Sequence, residues 1–325
     1  MKRRSFNTLL AACALSVAAT GLAFAQDYPN RPVRIIVPYP AGGSNDIAAR
    51  IVAQKLSEKH QKQFLVENRG GGGGNIGMEA VATSAPDGYT LLLSAPGPLT
   101  ANFALFKNLP VNPSTAFAPI ALVGSTPILV VAHPSFPAKN GTELVALAKA
   151  KPGSINYGSQ GNGSSSHLAT ELLKYMTGIN LLHVPYRGAA PAMNDLVAGH
   201  VPMLMDSMPG VISQVKAGTI KPLAIGSLKR SKLLPDVATV DESMAKGYEA
   251  LAWYGLVAPA GTPAPVLDLL SKDVAEILKM PDVITRFDEL GIDPGTVTGA
   301  AFGTFLKNET AKWTKVIEVS GARVD

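Results

Sequence analysis

The sequence predicts an α/β protein of two lobes, each a mainly parallel sheet covered by helices. Three observations carry this expectation. Short β-rich runs alternate with segments of helical periodicity along the chain. A strand, a glycine- and serine-rich loop and a helix occur in that order once in each half. The 325 residues also exceed what one core usually holds, since single cores stop growing at roughly 250–300 residues.

Taken in order, positions 1–25 read as a secretion signal. Lys2, Arg3 and Arg4 begin it, an apolar run follows from Leu9 to Phe24, and Ala23-Phe24-Ala25 supplies a small-x-small cleavage site. The mature chain is expected to start at Gln26 in the periplasm. Cys13 is the only cysteine, so normal cleavage leaves neither disulfide nor thiol. Leu10-Ala11-Ala12-Cys13 also resembles a lipoprotein processing site, but cleavage there would leave only a short apolar segment behind, which favours release as a soluble protein.

Val33 to Val37 reads as the first strand, and it runs through Tyr39–Asp46 into a helix. In that helix Ile47, Ile51, Val52 and Leu56 recur at helical spacing. A strand at Phe64–Glu67, a glycine-rich turn, a helix through Met78–Ala82 and a strand at Thr90–Leu93 follow. Gly124 to His133 would carry the chain into a second lobe.

Residues 154–176 then give strand, loop and helix again, with Gly163-Ser164 standing where Gly43-Ser44 stood. A strand follows at Leu181–Val184. Tyr186-Arg187-Gly188 matches Asn68-Arg69-Gly70, and Ser207-Met208-Pro209-Gly210 matches Ser94-Ala95-Pro96-Gly97. Three features recurring in one order predict a structural repeat. A return near Ser243–Ala250 would let Trp253–Val257 and the C-terminal helices pack on the first lobe. The expected division is 26–125 plus 245–325 for lobe 1 and 126–244 for lobe 2.

Composition narrows the function. The formal charge is +5, but without the three signal cations 26 Lys and Arg face 24 Asp and Glu, a net of +2. With no basic run and no aromatic platform, nucleic-acid binding is not expected. Gly72, Gly74 and Gly77 satisfy a dinucleotide GxGxxG pattern, yet no acidic residue follows about 20 positions on to hold a ribose. No P-loop, GxSxG, HExxH or cysteine nucleophile occurs, and the histidines lack metal-ligand spacing. Neither a cofactor nor a metal is expected, and an enzyme is the weaker alternative.

The loops suggest a binding site instead. A helix N-terminus presents unpaired N–H groups and a positive dipole end, and glycine lets an anion approach them. Ala41, Gly42, Gly43 and Ser44 precede the first helix; Ser159, Gly161, Gly163, Ser164 and Ser165 precede the helix containing His167. Facing each other across a cleft, these sets would bind a small carboxylate through dipoles and hydroxyls. Neither loop carries Arg or Lys, which argues against a ligand with three exposed charges. Tyr39 and Tyr186 could wall the ligand, and Ser94 ends a strand beside it. Asp46 either caps its helix or touches ligand, His167 either caps and packs or touches ligand, and Asp206 would face the cleft from a strand end and accept from an amine or hydroxyl.

On YPNRPVRIIVPYPAGGSNDIAARIVAQKL, VENRGGGGGNIGMEAVATSAPDGYTLLL, INYGSQGNGSSSHLATELL, VPYRGAAPAMNDLVAGHV and WYGLVAPAGTPAPVLDLL, the chain resembles the substrate receptors of tripartite tricarboxylate transporters, the TctC-like or Bug receptors. The resemblance implies a type II periplasmic-binding-protein fold, with two α/β lobes closing over a ligand that a membrane permease then receives. It implies a carboxylate, whether dicarboxylate, amino acid or aromatic acid, held by backbone amides of Tyr39–Asp46 and Ser159–His167, with bridging waters and Asp206 as a further contact. A monomer is expected, and a receptor feeding a signalling system is the alternative. RGGGGGN departs from relatives, which usually show proline or alanine within the glycines.

Overall fold

The computed structural model describes residues 28–324. The expected signal peptide, its cleavage after Ala25 and the lipidation question at Cys13 lie outside the described residues.

The first half is built on β1 (Val33–Val37), α1 (Ser44–His60), β2 (Phe64–Asn68), α2 (Asn75–Ala82) and β3 (Thr90–Ser94). The strands run parallel in the order β2-β1-β3. Helices cover both faces, so β1 and β3 are apolar and buried almost throughout rather than alternating. Ala48, Ala49, Val52 and Leu56 of α1 close one face over Val33, Ile35 and Val37; Met78 and Val81 of α2 close the other over Ile36 and Leu92.

Sixteen residues long, β4 (Phe117–Ala132) connects the halves. Up to Pro127 it pairs antiparallel with β9 (Leu251–Pro259), and from Ile128 it pairs with β7 (Met203–Ser207) and β8 (Lys221–Ile225). Proline has no N–H to give a ladder, which suits the position where one set of partners is exchanged for another.

The second half repeats the first. Before it comes α3 (Gly141–Ala150), then β5 (Asn156–Ser159), α4 (Ser165–Thr177), β6 (Leu182–Pro185), α5 (Ala189–Val197), β7 and α6 (Met208–Lys216). The order is β6-β5-β7, again parallel. Each triplet is then extended by an antiparallel strand beside its third member, β9 beside β3 and β4 beside β7. The sequence repeat is therefore a topological one. In both halves the loop leaving the central first strand stands at the carboxyl end of the sheet, the usual ligand end of such sheets.

After β9 come α7 (Ala264–Ile277), α8 (Pro281–Leu290), β10 (Asp293–Pro294) and α9 (Gly299–Ser320). Val266, Leu270 and Val274 of α7 and Phe287 of α8 enter the first-half core. The last helix departs from the expectation that 245–325 all rejoin the first lobe. Phe302 packs near Trp253, but Trp313, Val316 and Ile317 join Tyr157, Leu168 and Leu173 in the second-half core. Its 22 residues are simply long enough to reach both cores. Glu309 ties this crossing down, accepting from Trp253 Nε1 at 2.7 Å and Trp313 Nε1 at 3.0 Å. Among the described residues no helix is long and apolar enough to cross a membrane.

Candidate ligand-binding site

The loop after β1 is held from behind by one carboxylate. Asp46 accepts from the Gly42 amide at 3.0 Å, from Arg50 Nε at 3.0 Å and from Asn68 Nδ2 at 3.0 Å. Asn68 also donates to the Tyr39 carbonyl, so the end of β2 and the start of α1 grip the loop together. Burial alone would raise the Asp46 pKa, but the bonds from Arg50, Gly42 and Asn68 outweigh it and hold the carboxyl below its usual range. Gly43, the residue before α1, contributes no side-chain cap. The amides of Gly43, Ser44, Asn45 and Asp46 have no backbone partner among the described residues, the first helical bond being Ile47 N to Gly43 O.

The loop after β5 satisfies itself. The Gly161 amide donates to Ser159 Oγ at 3.1 Å, that of Gly163 to His167 Nδ1 at 3.2 Å, and that of Gln160 to Ser166 Oγ at 3.0 Å. Ser164 caps α4, accepting from the His167 amide, and its hydroxyl donates to Gly161 O at 2.6 Å. Behind the loop His167 stacks on His183 at 4.3 Å, and His183 stacks on Tyr157 at 4.8 Å. Burial, with Lys174 nearby, pushes His167 down to about 4. Burial and the neighbouring His167 push His183 down to about 3, so both rings are neutral near pH 7. Neutral His167 accepts through Nδ1, which leaves its proton on Nε2.

The loop after β5 meets the segments that follow β2 and β3. A side-chain carbon on Gly73 would strike Asn162 O, and one on Gly97 would strike Gly163 O, so backbones touch across the cleft where only glycine fits. Above this contact a cavity of about 770 Å³ is lined by Tyr39, Pro40, Gly70–Gly74, Gln160, Gly161, Ser164 and Tyr186–Gly188. It is large enough for a small organic acid.

Beneath it lies a buried polar cluster. Ser207 Oγ donates to Ser44 Oγ at 3.1 Å, joining the first turn of α1 to the end of β7. Asp206 accepts from Gln160 Nε2 and from the Ser207 amide at 2.6 Å. Burial pushes Asp206 up to about 6, against the lowering effect of those bonds. The Tyr254 hydroxyl on β9 stands beside Ser44 and Ser207, and burial raises its pKa as well. Five buried polar atoms have no hydrogen-bond partner among the described residues: Tyr39 OH, Asn45 Oδ1, Ser94 Oγ, Asn102 Oδ1 and Tyr254 OH. Of these residues Tyr39 lines the cavity. Such groups cost about 1–3 kcal/mol each unless something else pairs with them.

Of the expected site residues, Tyr39, Gly161, Ser164 and Tyr186 line the cavity, Asp206 is joined to it through Gln160 and Ser44 through Ser207, while Ala41, Gly42, Gly43, Asp46, Ser94, Ser159, Gly163, Ser165 and His167 are not among its lining residues. Several of the expected side chains already have partners within the protein. Asp46 is consumed by Gly42, Arg50 and Asn68; His167 serves the Gly163 amide; Ser159 Oγ is taken by the Gly161 amide and His183 Nε2 at 2.6 Å. The Tyr186 hydroxyl donates to Asp195 Oδ2 at 2.8 Å, leaving the rest of the residue to line the cavity. Sequence reasoning missed Tyr254, Ser207, Gln160 and Asn102. Ser207 was within reach, because its tetrapeptide matches that of Ser94; Tyr254 gave no signal, since a tyrosine within an apolar strand looks like core. Neither glycine loop carries a cation, but Arg187, beyond both loops, joins the cavity lining.

Residues 48–322 match the tripartite tricarboxylate transporter family receptor, TctC. BugT of Bordetella pertussis is 35% identical over 324 residues, 98% of this chain and 99% of that protein. A protein encoded between ttuE and ttuC′ in Agrobacterium vitis is 39% identical over 99% of this chain and 92% of its own length. Among solved structures, an R. palustris protein with adipate aligns with a TM-score of 0.88 at 34% identity, covering 91% of this chain and 99% of that one. MatC from Rhodopseudomonas palustris with bound malate gives 0.85 at 31%, over 89% and 100%. The periplasmic binding protein BugD gives 0.85 at 38%, over 91% and 99%.

Proposed function

The chain belongs to the tripartite tricarboxylate transporter receptor family, and from that premise we propose that it captures a small carboxylate in the periplasm and hands it to the membrane subunits of such a transporter. One observation supports the ligand class above others: four consecutive amides at the start of α1, Gly43 to Asp46, have no backbone partner among the described residues, and the loop that carries them lines the cavity through Tyr39 and Pro40; a carboxylate oxygen is the natural acceptor at such a helix start. The adipate and malate held by two relatives fit the same class.

In this reading residues 28–125 with about 253–312 form one lobe and 126 to about 252 the other, joined by β4 and β9. The end of α9 acts as a strap across them. Closure brings the Gly70–Gly74 and Gly161–Gly163 segments into contact. The protein acts as a monomer and binds without turnover, as supported by a cleft whose buried side chains are committed to holding loops rather than to proton transfer. Thermal unfolding of the mature protein against a panel of carboxylates tests this. A ligand at 100 times its Kd should add about 2.7 kcal/mol of stability, while sugars and cations add none. Stabilisation by sugars alone, or chemical conversion of a stabilising acid, would overturn the proposal.

A further inference from the structure

The cavity is walled largely by backbone. Glycines and prolines make up more than half of its lining residues, and they offer little side chain to decide what fits. Three aromatic residues join them: Tyr39, Phe106 and Tyr186. Tyr39 is only 8% exposed and belongs to the first-half core, and the Tyr186 hydroxyl is anchored on Asp195 at 2.8 Å. Phe106 differs from both. Its ring stands where side-chain carbons on Gly73 and Gly163 would come within 2.9 Å and 3.2 Å of it. The ring therefore lies against glycine backbone of both halves and closes the cavity where they meet.

Distant parts of the chain hold Phe106 in that place. It follows a short helix, Asn102–Leu105, which comes from the first half, yet Ala101 and Leu105 are buried in the second-half core with Trp313 and Ile317. Asn102 ties this helix to the glycine turn, its Nδ2 donating to Gly73 O at 3.0 Å and to Asn75 Oδ1 at 2.6 Å. Beyond α9 the chain returns to the same point. Val324 N donates to Leu105 O at 3.0 Å, and Val324 forms a parallel bridge with Phe106. Both residues pack on the second-half core, and Val324 also lines the cavity.

We propose that Phe106, clasped by Val324, limits the length of acid that the cavity accepts. This rests on the carboxylate-receptor reading and deepens it. The helix start of α1 recognises a carboxylate whatever chain it carries; the Phe106 ring decides how much apolar chain follows. Truncating the ring uncovers no hydrogen-bonding group of its own, and the glycines beside it have no side chains to move into the space, so the space is added to the cavity.

Calorimetric titration with straight-chain mono- and dicarboxylates of three to eight carbons tests this on the unaltered protein, Phe106→Leu and Phe106→Ala. In the unaltered protein affinity should rise with length and then fall once the chain meets the ring. Phe106→Ala should move that limit to longer acids and raise the longest-to-shortest affinity ratio by about tenfold, the worth of burying about two further methylenes. Phe106→Leu should raise it less. Val324→Pro, which removes the N–H that reaches Leu105, should shift the ratio in the same direction by a smaller amount, because the ring remains but loses its backing. No length limit in the unaltered protein, or an equal loss at every length in the Phe106 variants, would overturn the length assignment while the carboxylate reading stands. An unchanged ratio in Val324→Pro would overturn the clasp. If no acid of any length binds the unaltered protein, the carboxylate reading falls and the proposal with it. Should Phe106→Ala not fold, Phe106→Leu decides alone.

Discussion

The two glycine loops occupy equivalent places in two equivalent halves, yet they are built on opposite principles. The loop after β1 leaves its amides open and is braced from behind by an ionised group, Asp46, with Arg50 and Asn68. The loop after β5 spends its amides on its own side chains and rests on two neutral stacked histidines. One loop is prepared to receive an anion, and the other to hold a wall in place. Topological repetition placed both at the cleft; it did not give them the same task.

The largest expected effect falls on the self-satisfied loop. Gly163 has φ +76°, and a side-chain carbon there would collide with Asn102 Oδ1. Gly163→Val should therefore weaken ligand binding by more than about 100-fold while circular dichroism stays native, because the strain and the blocked contact oppose closure. Solution scattering should show no ligand-induced compaction in the variant. Normal affinity would break the comparison.

Acid should also strike this loop first. His167 and His183 have folded pKa values lowered to about 4 and about 3, below an unfolded value of about 6.5. The unfolded chain thus binds protons first, and stability falls as pH drops below about 6.5, by up to about 1.4 kcal/mol per pH unit for each histidine. Asp206 acts in the other direction: its pKa is raised to about 6, so the folded state gains protons first between about 6 and 4 and part of the loss is offset. Denaturant titrations from pH 7 to 4 should show a shallow decline in the native protein. In Asp206→Asn the same series should start from a higher stability at pH 7 and fall more steeply. A pH-independent midpoint over this range would show that the histidines do not carry the loop.

Asp46 gives the mirror case. Its pKa is lowered, so its stabilisation is fully present above the unfolded value of about 4 and is lost only as pH falls through the lower folded value. Asp46→Ala should cost about 1–3 kcal/mol in denaturant unfolding at pH 7 and loosen the Gly42 amide. The smallest effect is expected at Gly43, whose φ is −76° and where a side-chain carbon would meet nothing nearer than Pro40 O at 3.7 Å. Gly43→Ala should change Kd by less than about threefold, since the backbone amide and its conformation are kept. Sequence alone treats Gly43 and Gly163 alike; equal losses from both substitutions would restore that symmetry.

Much of the architecture could be read from residues. Val33–Val37 is a strand to the residue, and the second strand–loop–helix unit falls where its glycines and serines place it. Local rules suffice there because apolar runs, helix starts and glycine turns are short-range properties. The loops of the candidate site were legible for the same reason. What Asp46 and His167 do was not, since each was judged with only its own helix in view, and its partners, Asn68 and His183, come from other strands.

The sequence by itself determined the strand–loop–helix units, their repetition and the family to which the chain belongs. Tertiary structure decided the rest. It set Asp206 against Ser207, Gln160 and Tyr254, carried α9 over both cores, and made one glycine loop open and the other closed. The physical reason is distance along the chain: Ser44 and Ser207 lie 163 residues apart and share one hydrogen bond. Which buried groups find partners depends on such encounters, and no local pattern records them.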